Sequence, residues 1–260
     1  MSDYLEVDMN TLKGKVALVT GSSRGIGAAI ARLFTQEGAQ VVVHGRDVEA
    51  LSSVRSEIED AGGTAMQVTA DVTKLDEIES LRHQIETTYG PVEILVANAG
   101  GSFTMPGPLE EMSEAGWRAS LDGNLTATFL TIKSFLPGMK ERKAGNIITI
   151  SSSAARRPNP RSPIPYAAAK AGIQMLTQDL AAQAGPFGVR ANCIAPETIL
   201  TERNRQRIPE AQKQVLVEQH PIKRLGTPED VAQAVLFLAS EEAAWISGVV
   251  LDIAGGAVMV

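Results

Sequence analysis

The segment 150–170 holds the residues best suited to chemistry: three successive serines, Ser151, Ser152 and Ser153, and then Tyr166-Ala-Ala-Ala-Lys170. On a helix, Tyr166 and Lys170 lie about one turn apart and share a face. A phenol titrates near pH 10 unperturbed, and a fixed ammonium beside it favours the phenolate. Such a tyrosine can give and take a proton near neutral pH. A serine at the end of the apolar run 147–150 can face the pair. The three together suit acid–base chemistry on a carbonyl. A Tyr and a Lys four apart are also common in plain packing, so the rest of the chain decides the reading.

The elements that must position these groups can be read in order. Residues 1 to about 13 are polar and aperiodic, a surface arm. An apolar run at 16–20 leads at once into Gly21-Ser22-Ser23-Arg24-Gly25-Ile26-Gly27, and a helix follows over 28–36. Strand, glycine turn and helix form the context a phosphate-binding loop needs. The glycines let the backbone turn and approach a pyrophosphate, and the helix N-terminus offers free N–H groups. The spacing is G-x-x-x-G-x-G. Further strands are expected at 40–44, 65–69, 93–97, 146–150, 189–195 and 248–253, with helices between them. Asp47, Thr73 and Thr227 are read as N-caps, and Pro228 as the first residue of the last helix. Trp117, Leu121, Leu125 and Phe129 recur every four residues and predict a long core-facing helix over 114–142. Gly123-Asn124 in its middle predicts a local distortion. A helix beginning after Pro163 and Pro165 carries Tyr166 and Lys170 and ends near Gly185. The polar stretch 197–225, with Arg203, Arg205, Arg207, Lys223 and Arg224, reads as a mobile lid over a pocket. Alternating strands and helices with short links imply one α/β domain, a doubly wound seven-stranded parallel sheet with helices on both faces.

Composition narrows the function classes. The chain has 260 residues, 44% hydrophobic, with a formal net charge of −6 and no dense basic run, which argues against a nucleic-acid surface. One cysteine, Cys193, excludes an internal disulfide; in its apolar setting it reads as a buried inert thiol. His44, His83 and His220 show no metal-ligand spacing, so no metal is expected. Nothing resembles a membrane span or signal peptide, and a cytoplasmic protein is expected.

Taken together, the motifs resemble the short-chain dehydrogenase/reductase family, in its single-domain branch close to the 3-oxoacyl-carrier-protein reductases. The matching pieces are Thr20-Gly21-Ser22-Ser23-Arg24-Gly25-Ile26-Gly27, Asp71-Val72, Asn98-Ala99-Gly100, Asn124, Ser152 and Tyr166-x-x-x-Lys170. They extend from about residue 13 to 256. The resemblance implies a Rossmann fold that interconverts a carbonyl and a secondary alcohol with a nicotinamide dinucleotide. Tyr166 would protonate the carbonyl oxygen. Lys170 would lower the tyrosine pKa and hold the nicotinamide ribose. Ser152 would hydrogen-bond the oxyanion, and Asn124 would hold a water linking Lys170 to solvent. Gly21, Ser23, Arg24, Gly25, Ile26 and Gly27 would line the pyrophosphate and adenosine side. Asp71 and Val72 would meet the adenine, and Asn98, Ala99 and Gly100 the adenosine ribose region. Pro196, Ile199 and Thr201 would meet the nicotinamide. The resemblance also implies a homotetramer, with 114–142 and 166–185 packing against partners.

Two departures from the family pattern matter. Counting back from the tyrosine selects Ser153, whereas counting on from the strand selects Ser152. Insertions are tolerated in loops and not in core strands, so Ser152 is preferred, with an insertion in the 156–165 loop. Glu197 stands where the family usually has glycine. It either shapes the substrate pocket or points to solvent. The cofactor is expected to be NADP: Arg46 follows the second strand where NAD users carry an acid, and Arg24 can add a second charge. Asp47 keeps NAD open. Arg156, Arg157 and Arg161 suggest an anionic substrate such as a 3-oxoacyl thioester. The rival readings are a sugar, steroid or other small ketone as substrate, and a non-catalytic dinucleotide sensor.

Overall fold

The computed structural model describes residues 11–259. Its seven strands are β1 (Val16–Val19), β2 (Gln40–Gly45), β3 (Thr64–Thr69), β4 (Ile94–Ala97), β5 (Gly145–Ile150), β6 (Val189–Pro196) and β7 (Val250–Ile253). They form one parallel sheet in the order β3-β2-β1-β4-β5-β6-β7. Most are short runs of buried apolar residues, as a sheet covered on both faces requires.

The strands' two-residue period divides the interior into two cores. Ala17, Val19, Val41, Val43, Ile148 and Ile150 face one side. There they meet α1 (Gly25–Gln36), α2 (Val48–Asp60) and α9 (Pro228–Ala239) through Ile30, Phe34, Leu51, Val54, Val235 and Leu238. Val16, Leu18, Val42, Leu95 and Ile147 face the other side. Their partners are Ile78, Leu81 and Ile85 of α3 (Leu75–Tyr89), Phe135 and Met139 of α5 (Ala127–Arg142), and Leu180 of α6 (Ile164–Ala184). The order runs outward from β1 to β3 in one direction and from β4 to β7 in the other. The first loops on each side therefore diverge between β1 and β4 and open a crevice at the strands' C-terminal ends.

Two of the expected caps form. Asp47 accepts the Ala50 N–H at 3.1 Å, and Thr227 with Asp230 makes a reciprocal capping box. Thr73 does not cap α3. Its hydroxyl donates to Asp71 Oδ1 at 2.7 Å, and the helix starts two residues later. The 114–142 helix is α4 (Glu114–Leu121), a π-helical turn Asp122–Thr126 and α5, so the distortion falls at Gly123-Asn124 as expected. Its apolar stripe is not core-facing. Trp117, Leu121 and Leu125 are half-buried and Phe129 is 46% exposed, while the buried face carries small and polar residues such as Ser120, Thr128 and Thr131.

Residues 1–10 of the expected arm lie outside the described residues. Leu12 contradicts the remainder of that expectation, because it packs into the first core at 1% exposure. Stretch 197–225 is no plain loop: it folds into α7 (Glu202–Arg207) and α8 (Glu210–Gln219). The bridge Ile199↔Gly226 closes its base.

Candidate active site

Tyr166 and Lys170 project from one face of α6 toward the end of β5. Pro163 caps that helix and Pro165 lies in its first turn, where a missing N–H costs nothing. Ser151 fastens strand to helix: its hydroxyl donates to the Lys170 carbonyl at 2.8 Å and accepts from Gln174 Nε2 at 3.0 Å. Lys170 Nζ donates to the Ile150 carbonyl at 2.7 Å and lies 5.7 Å from the Tyr166 ring centre. Burial strips water from this ammonium and pulls its pKa down to about 8.

Tyr166 departs from expectation. Burial pushes its phenol up, opposed by a hydrogen bond with Ser152 and by the charge of Arg203. Desolvation outweighs both opposing influences, and Lys170 is not among them. Of the two candidate serines, Ser152 faces the phenol and the cavity. Ser153 begins the short 3-10 turn Ser153–Ala155 and turns away. Asn124 is fully buried beside the site and does not line it. Its Oδ1 accepts the Gly101 N–H at 3.0 Å, and its Nδ2 donates to the Gly101 and Ser120 carbonyls at 2.9 and 2.8 Å. The amide thus pins the loop after β4 to the π-helical turn.

The crevice holds a cavity of about 680 Å³ with Ser152, Tyr166 and Lys170 at one end. Every residue assigned above to the dinucleotide lines it. Gly21 and Gly25 adopt left-handed φ values of 65° and 58°, a conformation that favours glycine. A Cβ on Gly27 would lie 2.5 Å from the Gly21 carbonyl oxygen, so only glycine lets α1 pack this closely on the loop. No side chain caps α1, and its first turn holds no acid. Its N–H groups and positive dipole end face the cavity as a ready anion site. These features fit the pyrophosphate of a dinucleotide.

His44 supports the loop from below, a role its sequence context did not reveal. Gly21 N–H donates to Nδ1 at 3.2 Å, and Nε2 faces the Ala70 carbonyl at 3.1 Å. An N–H on one side and a carbonyl on the other fix the neutral Nε2–H tautomer, and burial lowers the ring's pKa accordingly. Asp71 takes the Thr73 N–H and hydroxyl, which hold its carboxyl below the usual range.

The arginines sort differently from expectation. Arg24 lines the cavity but is ion-paired to Asp47, so it is not a free second charge. Arg46 is exposed on the cavity wall and makes no ion pair among the described residues. Arg156 does not reach the cavity. It forms a two-pronged, largely buried pair with Asp252 at 2.9–3.2 Å, which neutralises it. Arg161 donates to Gln219 at 3.2 Å, and neither it nor Arg157 lines the cavity. A second cation near the phenol, besides Lys170, is Arg203 of α7, which the lid reading groups with four other charges. Phe103 and Asp122 complete that end, also unforeseen, because loop residues carry no periodic signal. Cys193 is buried on β6 and burial raises its thiol, in keeping with an inert role.

Known proteins match this architecture over nearly its whole length. The family model described as enoyl-(acyl carrier protein) reductase matches residues 21–258. Glucose 1-dehydrogenase 2 of Bacillus subtilis is 39% identical over 94% of this chain and 95% of its own. The 7alpha-hydroxysteroid dehydrogenase of Escherichia coli K12 is 37% identical, covering 99% and 97%. Among solved structures, a 3-oxoacyl-[acyl-carrier protein] reductase with bound NAD from Brucella melitensis superposes with a TM-score of 0.89. It is 33% identical, over 97% of this chain and 95% of that one. A glycine loop under an uncapped helix, a serine–tyrosine–lysine cluster at one crevice and these relatives lead to one conclusion: the chain belongs to the short-chain dehydrogenase/reductase family of NAD(P)-dependent oxidoreductases.

Proposed function

We propose that the protein is an NADP-dependent oxidoreductase that interconverts a carbonyl and a secondary alcohol. The observation that carries this reading is the cavity itself. It joins the anion site of α1 to the Ser152–Tyr166–Lys170 cluster. A bound reduced nicotinamide supplies hydride to the carbonyl carbon. The chain supplies the rest. Tyr166 donates its phenolic proton to the carbonyl oxygen, and Ser152 hydrogen-bonds that oxygen as negative charge develops. Lys170 keeps a positive charge beneath the phenol and is placed to hold the nicotinamide ribose hydroxyls. Its proton is labile near pH 8, which suits it to resupply the phenol. Asn124 acts by holding the Gly101 loop against the cavity wall. The adenosine side falls to Gly21, Ser23, Arg24, Gly25, Ile26, Gly27, Asp71, Val72, Asn98, Ala99 and Gly100, and the nicotinamide side to Pro196, Ile199 and Thr201.

Arg46 supports NADP. It is an exposed guanidinium on the cavity wall next to β2, in no ion pair among the described residues, and suited to a 2′-phosphate. We expect NADPH to bind at least about tenfold more tightly than NADH, the scale of one charge-assisted hydrogen bond. Equal or tighter binding of NADH would remove this preference.

For substrate, a 3-oxoacyl thioester is the first candidate, through the likeness to the Brucella reductase. A steroid or sugar ketone is the second, and Phe103 on the cavity wall favours an apolar one. Rates of NADPH oxidation with acetoacetyl-CoA and with a 7-oxosteroid distinguish them. NADPH binding without turnover of any ketone would leave a sensor as the surviving reading. The segment 197–225 is proposed to act as the lid over this cavity. No helix among the described residues is long and apolar enough to cross a membrane. We place the protein in the cytoplasm as a homotetramer, with no nucleic-acid or membrane partner.

A further inference from the structure

The glutamate that replaces the family's usual glycine does not point to solvent. Glu197 follows directly on β6 and lines the cavity beside Pro196 and Ile199. Its carboxylate turns away from that space. Oε2 accepts the Thr198 N–H and meets His220 Nε2 at 2.9 Å. The side chains are 13% and 4% exposed. His220 closes the C-terminal end of the lid helix α8, and its Nδ1 lies 2.6 Å from the Leu216 carbonyl one turn back.

A carbonyl oxygen cannot donate, so Nδ1 carries a proton. Oε2 already takes the Thr198 N–H, which favours the carboxylate over the acid and leaves Nε2 facing an acceptor. The other buried histidine makes the contrast. His44 receives an N–H on Nδ1 and is neutral, whereas His220 faces an acceptor at each nitrogen. No other charged side chain among the described residues makes a hydrogen bond or ion pair with Glu197 or His220. The nearby charges Lys223 and Arg224 are directed to Glu218 and Asp230.

We infer that Glu197 and His220 form a buried ion pair of positioning residues. The pair ties the end of the lid helix to the strand end that lines the nicotinamide side of the cavity, and it cancels the Glu197 charge there. His220 sits at the end of α8 and Glu197 where the chain leaves β6 along the cavity wall, so the pair fixes the 196–201 segment through contact with α8. Removing one partner leaves the other charge buried and uncompensated. The effect on cofactor binding rests on the function proposed above; the charge state of the pair does not.

Two measurements test this on the whole chain. In 15N-histidine-labelled protein near neutral pH, the His220 ring, assigned by its loss in His220→Gln, should show both nitrogens protonated. His44 should show one protonated nitrogen. A neutral His220 ring would overturn the inference. In kinetics, Glu197→Gln and His220→Gln should each raise the KM for NADPH about tenfold, the scale of one charged hydrogen bond, with kcat nearly unchanged. The double variant should be no worse than either single one. An unchanged KM, or losses that multiply in the double variant, would overturn it. Glu197→Gln keeps an acceptor for Thr198 and is the milder variant should His220→Gln fail to fold. If NADPH does not bind at all, the function proposed above fails while the nitrogen spectrum still decides the charge of the pair.

Discussion

At the scale of residues, environment decides what each titratable group can do. His44 is neutral because a backbone N–H points at one of its nitrogens and burial penalises the cation. Its pKa in the folded chain lies below the ordinary 6.5, so the unfolded chain binds the proton first as pH falls. The stability it contributes is complete above pH 6.5 and drains away on acidification below it. We predict that urea unfolding measured down that range shows a slope close to one proton, about 1.4 kcal/mol per pH unit, that His44→Gln removes. An unchanged slope would mean that other groups control acid stability. The sequence revealed Tyr166, Lys170 and Ser152 because they lie on one strand end and the helix that follows it, so spacing reports their geometry. It did not reveal the partners of Arg156 or Glu197. Those partners, Asp252 and His220, come from distant segments, and spacing carries no information about such pairs.

At the scale of elements, α1 and its loop depend on the absence of side chains. A Cβ at Gly27 would meet the Gly21 carbonyl oxygen at 2.5 Å and Asn98 Nδ2 at 2.6 Å. The first is backbone and cannot swing aside. Gly27→Ala should therefore destabilise the fold by about 1–3 kcal/mol and abolish dinucleotide binding measured by calorimetry. Tight binding by this variant would refute the close packing described here. Asn124 does comparable work in the distorted helix. Asn124→Ala leaves the N–H and carbonyl of Gly101 without their partner, at a cost of about 1–3 kcal/mol for each buried group left unsatisfied. We expect a lower melting temperature and a reduced kcat, because the Gly101 loop forms part of the cavity wall. Strands, most helices and the caps at Asp47 and Thr227 were legible because local chemistry specifies them. The stripe from Trp117 to Phe129 misled, because four-residue spacing marks an apolar face without saying what covers it.

At the scale of the molecule, the two cores bury the central strands of the sheet, yet α5 and α6 still show Phe129 and Met175 at 46% and 58% exposure. Such residues suit the interface between copies proposed above. Phe129→Lys with Met175→Lys should shift the proposed tetramer to smaller species in analytical ultracentrifugation; an assembly unchanged by both would place the interface elsewhere. The site likewise belongs to the whole fold, since the loops after β1 and β4, the ends of β5 and β6, α6 and the lid all line the same cavity. At the end of that cavity, the proposed chemistry turns on the Tyr166 phenol as proton donor. The most direct test is Tyr166→Phe, with turnover of a ketone reduced by the wild type measured beside NADPH affinity. The account predicts kcat lower by about a hundred- to ten-thousand-fold with affinity retained. Turnover at the wild-type rate in that variant would contradict it.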